Sequence, residues 1–283
     1  MNQPTVAQAV SVLEELFPPR LAESWDRVGL VCGDPKAPVT KIALAVDPTL
    51  RATTQAIEWG ADLLVVHHPL LLRPVSSVAA VSFKGAIVHR LIQAGCALYT
   101  AHTNADAAIG GVADAFAELI GLTEVAPLVP DEAEARAGIG RIGRLPAKVS
   151  LQQLGQMLAQ ALPATHHGVR LAGPPDDQVS LVAVVGGAGD SLFDQVRESG
   201  AEAYITADLR HHPALEARQA AEFAGGGKPY LVDVSHAASE WAWLEAAGRA
   251  LATQLSGQGA RVETWVNPEV ADPWTMRIGG DQL

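Results

Sequence analysis

Three short apolar runs separated by helical stretches constrain this chain more than any other feature. Lys41–Asp47 (KIALAVD), Ala61–Pro69 (ADLLVVHHP) and Cys96–His102 (CALYTAH) each have the length and apolar content of a buried strand. Between them lie a helical stretch ending at Gly60 and a second one over Phe83–Gly95. Strands joined through helices pair in parallel, which predicts an α/β layer architecture. The alternation resumes with strands over Val179–Gly187, Ala201–Asp208 and Pro229–Ser235, a long helix over His236–Leu255, and a last strand over Ala260–Val266.

The second half resembles the first in spacing. Ile42 to Gly60 and Val182 to Gly200 both span 18 positions, and both glycines lead into Ala, an acid and a strand. The third strand of each half ends in His, three residues, then a carboxylate: His102/Asp106 and His236/Glu240. Two related α/β lobes facing each other account for this, although α/β units share a rough period by chance. The first lobe is expected over 1–126, with 240–283 returning to it, and the second over 127–239. The Pro- and acid-rich Thr123–Ala137 reads as the connection between them.

Composition narrows the classes. With 20 basic against 31 acidic residues the net charge is −11, and no basic run interleaves with aromatics, so a nucleic-acid footprint is not expected. The two cysteines, Cys32 and Cys96, form no CxxC spacing and read as reduced core thiols. No apolar run reaches membrane-spanning length, and the N-terminus lacks a signal-peptide pattern, so a cytoplasmic location is expected.

Ligands of open α/β sheets collect beyond the carboxyl ends of the strands. There the sequence places His67 and His68, then His102 and Asp106, then Asp208, then His236 and Glu240. A lone histidine at a strand end is usually structural, but the joint set is an N/O donor group suited to zinc, iron, manganese or nickel. If the strand runs to His68, ahead of Pro69, the two imidazoles of the doublet point to opposite faces and serve two separate ions. His236 and Glu240 share a helix face, and a carboxylate can bridge two ions roughly 3.5–4 Å apart. In "HTN" an Asx-type turn can position Asp106, with His102 a donor behind the ligands. The second doublet, His211-His212, is a candidate for lining the site, whereas His166-His167 and His89 read as surface. "VVGGAGD" is a weak phosphate-cradle candidate and equally a plain turn. Neither a GxSxG motif nor a Cys–His neighbour suggests a covalent nucleophile.

In order along the chain, "WDRVGLVCGDP", "VVHHPLL", "HTNAD", "YITADLRHH" and "DVSHAASE" resemble the Nif-three-like family, often catalogued as GTP cyclohydrolase 1 type 2 homologues. The resemblance covers about Trp25 to Trp265. It implies two similar α/β lobes with a dinuclear metal site in the cleft between them, and a toroidal homohexamer. Carried over by motif, the metal ligands are His67, His68, Asp106, His236 and Glu240, with Glu240 contacting both ions. Departures are Arg27 where the family commonly has Asn, Ala207 in place of Gly, and Ser235 in place of Gly. The expected function is a metal-dependent hydrolase of a purine nucleotide, with His102, Asp208 or His211 moving protons. The alternative is a non-catalytic metal-binding or scaffold protein.

Overall fold

The computed structural model describes residues 3–278. They form two compact units: the chain up to Gly111 with Trp243–Ala271, and Val112–Ala242 with the chain from Asp272 on. The first crossing falls at Gly111/Val112 rather than at 126/127, because the helix that follows buries Phe116 and Ala117 in the second core. The return falls at Ala242/Trp243 rather than at 239/240, because Trp243 packs edge-on against Phe17 in the first unit.

In chain order the first unit contains α1 (Val6–Leu16), β1 (Gly29–Cys32), β2 (Lys41–Ala45), α2 (Leu50–Trp59), β3 (Leu63–Val66), α3 (Phe83–Ala94), β4 (Ala97–Thr100) and α4 (Thr103–Ala107). The second contains α5 (Val112–Leu119), β5 (Thr123–Pro130), β6 (Gly138–Ser150), α6 (Leu151–Ala161), β7 (Arg170–Ala172), β8 (Gln178–Ala188), α7 (Phe193–Glu198), β9 (Ala203–Ala207), α8 (His211–Phe223), β10 (Tyr230–Val234) and α9 (His236–Glu240). Then α10 (Ala242–Gly257) and β11 (Glu263–Val266) complete the first. The expected single helix from His236 is therefore two, interrupted at Trp241.

Local signals explain the elements. α1 and α6 each open with a capping box, Thr5 with Gln8 and Ser150 with Gln153, satisfying amides that the first turn leaves open. Each then buries one face, through Val6, Ala9, Val12 and Leu13 in α1, and through Leu151, Leu154 and Leu158 in α6. β3 is buried at all four positions, as a parallel strand covered on both faces requires. The segment expected to be a connection is instead largely β5, an edge strand paired antiparallel with β6. Its prolines, Pro127 and Pro130, are tolerated there because an edge strand leaves one row of backbone groups unpaired.

The first sheet has the order β1-β4-β3-β2-β11, parallel except for β1 at its edge. The second has the order β5-β6-β8-β9-β10-β7, with β8, β9 and β10 parallel. The repeat seen in the sequence is thus a repeat of topology. β2-β3-β4 carries antiparallel β1 beside its third strand, and β8-β9-β10 carries antiparallel β7 beside its third. The registers correspond too, Ile42 opposite Leu63 and Val182 opposite Ala203.

The acid after each Gly-Ala has a shared task. Asp62 accepts from the Thr40 and Lys41 amides at 2.6 and 2.9 Å, and Glu202 accepts from the Ser180 and Leu181 amides at 2.6 and 3.1 Å. Each carboxylate staples the start of one parallel strand to the start of its neighbour. Burial raises the Glu202 pKa, but the Lys228 ammonium and the two amides outweigh it and hold the carboxyl below its ordinary value of 4.5. A depressed carboxyl stabilises the fold above its unfolded value, and that contribution is lost as pH falls through the folded one. Glu202→Gln is expected to lower unfolding stability at pH 7 by about 1 kcal/mol. In urea melts the difference should shrink on acidification below about pH 4; a difference independent of pH would contradict the staple.

Candidate metal centre

In the first unit the donors gather where β3 and β4 end. Pairing of β3 stops at Val66, and the amides of His67 and His68 both reach back to the Val46 carbonyl, at 3.1 and 2.9 Å. Two successive amides turned to one carbonyl break the extended alternation. The doublet therefore does not point to opposite faces as expected; the two rings lie side by side, with centroids 5.0 Å apart. His102 joins them, and one ligand atom from each of His67, His68 and His102 lies within 4.8 Å of the others. His67 is fully buried, with the Trp243 ring edge-on to it at 5.6 Å.

Each of these imidazoles is anchored through Nδ1. His67 Nδ1 bonds the Ala101 carbonyl at 2.9 Å, His68 Nδ1 bonds Asp47 at 2.8 Å, and His102 Nδ1 bonds Asp26 at 2.9 Å. Carbonyl and carboxylate oxygens only accept, so Nδ1 carries the hydrogen and the neutral ring keeps its lone pair on Nε2. This arrangement behind a metal-ligating histidine fixes tautomer and orientation. His67 Nε2 lies 3.6 Å from Asp106 Oδ1, so a lone pair and a carboxylate oxygen share one small space.

The "WDR" stretch finds its use here. Asp26 is buried and accepts from His102 Nδ1, from the Thr103 amide and hydroxyl, and from the Arg27 amide. Burial raises its pKa, but these bonds, with His102 first among them, hold it well below the usual carboxylate range. Arg27 turns its guanidinium onto the Asp26 carbonyl, 2.6 Å away. The Asx-type turn expected in "HTN" is not formed: Asn104 Oδ1 reaches back to accept the His102 amide at 2.9 Å, the reverse of an Asx turn, at the start of α4, which carries Asp106.

In the second unit β10 leads into α9, the counterpart of β4 leading into α4. His236 Nε2 and Glu240 Oε1 are 3.1 Å apart on one face of α9. His236 Nδ1 bonds Asp208 at 2.7 Å, so Nε2 again keeps the lone pair in the neutral ring. Two acceptors at that separation repel unless a proton or a cation lies with them, and Glu240 is almost fully buried. This donor set fits a divalent cation. Asp208 sits at φ +54, a left-handed conformation uncommon outside glycine and associated with functional sites.

Gly187 was not identified from sequence as part of a metal site. It ends the "VVGG" run at φ +67, and a Cβ there would lie 2.6 Å from Glu240 Oε1 and 3.1 Å from His236 Nε2. Its amide donates to Ser239 Oγ at 2.9 Å, and its carbonyl accepts from the Thr206 hydroxyl. The glycines thus make room for a buried carboxylate and its imidazole.

Other candidates lie elsewhere. His211 opens α8 as an exposed residue, its ring against His212, and lines a cavity with Arg218 and Leu231. His89 is exposed. His167, expected to be surface, is half-buried and bonds buried Asp233 at 2.8 Å. Burial pushes the Cys96 thiol up to about 12, which leaves it no thiolate for nucleophilic chemistry. No helix among the described residues is long and apolar enough to cross a membrane.

The fold is a mixed α/β protein of two units, with histidine and carboxylate groups at the strand ends that could hold metal ions. A family model described as Duf34/NIF3 (NGG1p interacting factor 3) matches residues 4–273, and the chain belongs to this family. It is 45% identical over 277 residues to a protein of Streptomyces coelicolor named GTP cyclohydrolase 1 type 2 homolog, covering 97% of this chain and 95% of that one. A Mycobacterium tuberculosis protein of the same name is 37% identical, covering 98% and 99%. Among solved structures, a Bacillus cereus protein related to NIF3 shares the fold with a TM-score of 0.88 at 23% identity, covering 98% and 100%.

Gly187→Ala tests the packing around Glu240. The added methyl and the left-handed φ should displace the carboxylate and weaken metal binding about tenfold or more by calorimetric titration, with the far-UV spectrum unchanged. Wild-type affinity in the variant would show that Glu240 is not a ligand.

Proposed function

We propose that the protein is a metal-dependent hydrolase of a purine nucleotide, with two divalent ions per chain. The observation that carries the reading is the Nδ1 anchoring of His67, His68, His102 and His236, each to a carbonyl or carboxylate. Each anchor leaves the opposite nitrogen, Nε2, with its lone pair beside a carboxylate or another imidazole, which is the arrangement ligands need. In this reading His67, Asp106 and Glu240 hold one ion, and His68, His236 and Glu240 hold the other. Zinc, iron, manganese or nickel suits these N/O donors. When bound, a pair of such ions brings the pKa of a water toward neutrality and clamps an oxyanion.

The chain's own residues then have separable tasks. Asp47 and Asp208 accept the Nδ1 hydrogens of His68 and His236 and keep those rings from turning. His102, backed by Asp26 in a carboxylate–imidazole pair, is the group best prepared to take and return a proton at Nε2. The ring edges of Trp25 and Trp243 line the imidazole cluster with apolar surface. The substrate class comes from the relatives' names, and the reaction is hydrolytic opening of the imidazole ring of a guanine nucleotide.

Metal-reconstituted protein is expected to bind about two ions per chain and to turn over GTP in preference to a panel of phosphoesters. His68→Ala, folded by circular dichroism, should lose at least about 100-fold in turnover. Two bound ions with no turnover of any substrate offered would sink the hydrolase reading and favour a non-catalytic metal-binding protein. An unchanged rate in His68→Ala would remove His68 from the mechanism.

A further inference from the structure

The second unit contains a cavity of about 490 Å³ whose wall includes His166, His167, Arg170, Asp208, Trp274 and Arg277. We propose that this cavity binds a small anionic ligand carrying a flat aromatic ring, of the nucleoside-phosphate kind. The proposal deepens the nucleotide reading above and rests on it for where the ligand's reacting end would go.

The wall is built rather than accidental. Buried Asp233 accepts from His167 Nε2 and from the Arg170 guanidinium, and its other oxygen accepts the Leu209 amide at 3.1 Å. That network fixes the loop before β7 against the loop after β9 and cancels the charge of Arg170. Arg277 differs: among the described residues it makes no ion pair, and its guanidinium lies over the Gly168 turn, where a Cβ would be 3.6 Å from Nη1. It is therefore the uncompensated cation of the cavity, and an anion is drawn to its end. Trp274 is 65% exposed, a large apolar face left in solvent on the wall of the same cavity. An indole and a guanidinium in one cavity can take a flat ring and the phosphate attached to it.

The remaining wall residue sets the direction. Asp208 is the carboxylate that holds His236 Nδ1, so the cavity opens beside a candidate metal ligand. Its negative charge repels phosphate, which places the phosphate at Arg277 and the ring between Trp274 and Asp208. A volume near 490 Å³ lies in the range of small-molecule sites and suits one nucleotide.

The test is calorimetric binding of GTP and of guanosine to the full-length protein after metal removal by chelation. Trp274→Ala is expected to weaken both ligands about tenfold, and Trp274→Phe to restore most of the loss. Arg277→Gln is expected to weaken GTP about tenfold and to leave guanosine unchanged. Both residues are exposed in a segment outside the helices and strands, so the fold is expected to survive, and circular dichroism checks it. No GTP binding to the metal-free protein, or binding indifferent to both substitutions, overturns the cavity as the site. GTP binding with this pattern, alongside a metal-loaded protein that turns over nothing, upholds the cavity and sinks only the hydrolase reading.

Discussion

The hydrogen bond from His67 Nδ1 to the Ala101 carbonyl ties the end of β3 to the end of β4, and the chemistry of the first unit depends on it. An imidazole with no exposure needs its polar atoms satisfied, or its burial costs several kcal/mol. Here one nitrogen is satisfied by backbone from the neighbouring strand, which leaves the tautomer no choice. The same device recurs with carboxylates at His68, His102 and His236. Its partners come from beyond β2, from before β1 and from beyond β9. The rings are thereby set by sheet positions, which are stiff, rather than by side-chain preference.

The duplicated topology gives this device twice, but the two copies are not used alike. Each third strand runs into a five-residue helix with the His-x-x-x-carboxylate pattern. In the second unit the acid and its own histidine meet, with His236 and Glu240 3.1 Å apart. In the first, Asp106 meets His67 from the preceding strand, and His102 joins the imidazole cluster instead. The doublet His67-His68 has no counterpart at the end of β9, where Thr206-Ala207-Asp208 supplies an anchoring carboxylate. One ancestral-looking arrangement thus supplies imidazoles in one unit and a buried carboxylate in the other.

Much of this was legible in the chain. Fully apolar runs such as Leu63–Val66 announce buried parallel strands, and the candidate donors follow those runs directly, so both were read from the same stretches. The matched Gly-Ala-acid positions were visible as a repeat, although their strand-stapling bonds were not. What escaped were roles that exist only through a partner distant in sequence. Asp26 lies 76 positions from His102, and Gly187 lies 53 from Glu240, so no local pattern could reveal either contact. The doublet's geometry was misread because strand pairing ends at Val66, immediately before it, and the His67 and His68 amides share the Val46 carbonyl. Thr123–Ala137 was misread because proline and acid mark edge strands as readily as linkers.

The proposal that matters most for function is that the two sets of donors serve one pair of ions. Anomalous diffraction from crystals of the metal-reconstituted protein, collected at the absorption edge of the bound metal, addresses it directly. The account predicts two peaks per chain roughly 3.5–4 Å apart, with Glu240 touching both and His67 and His68 on different ions. A single peak, or two peaks with His236 and Glu240 away from both, would contradict it.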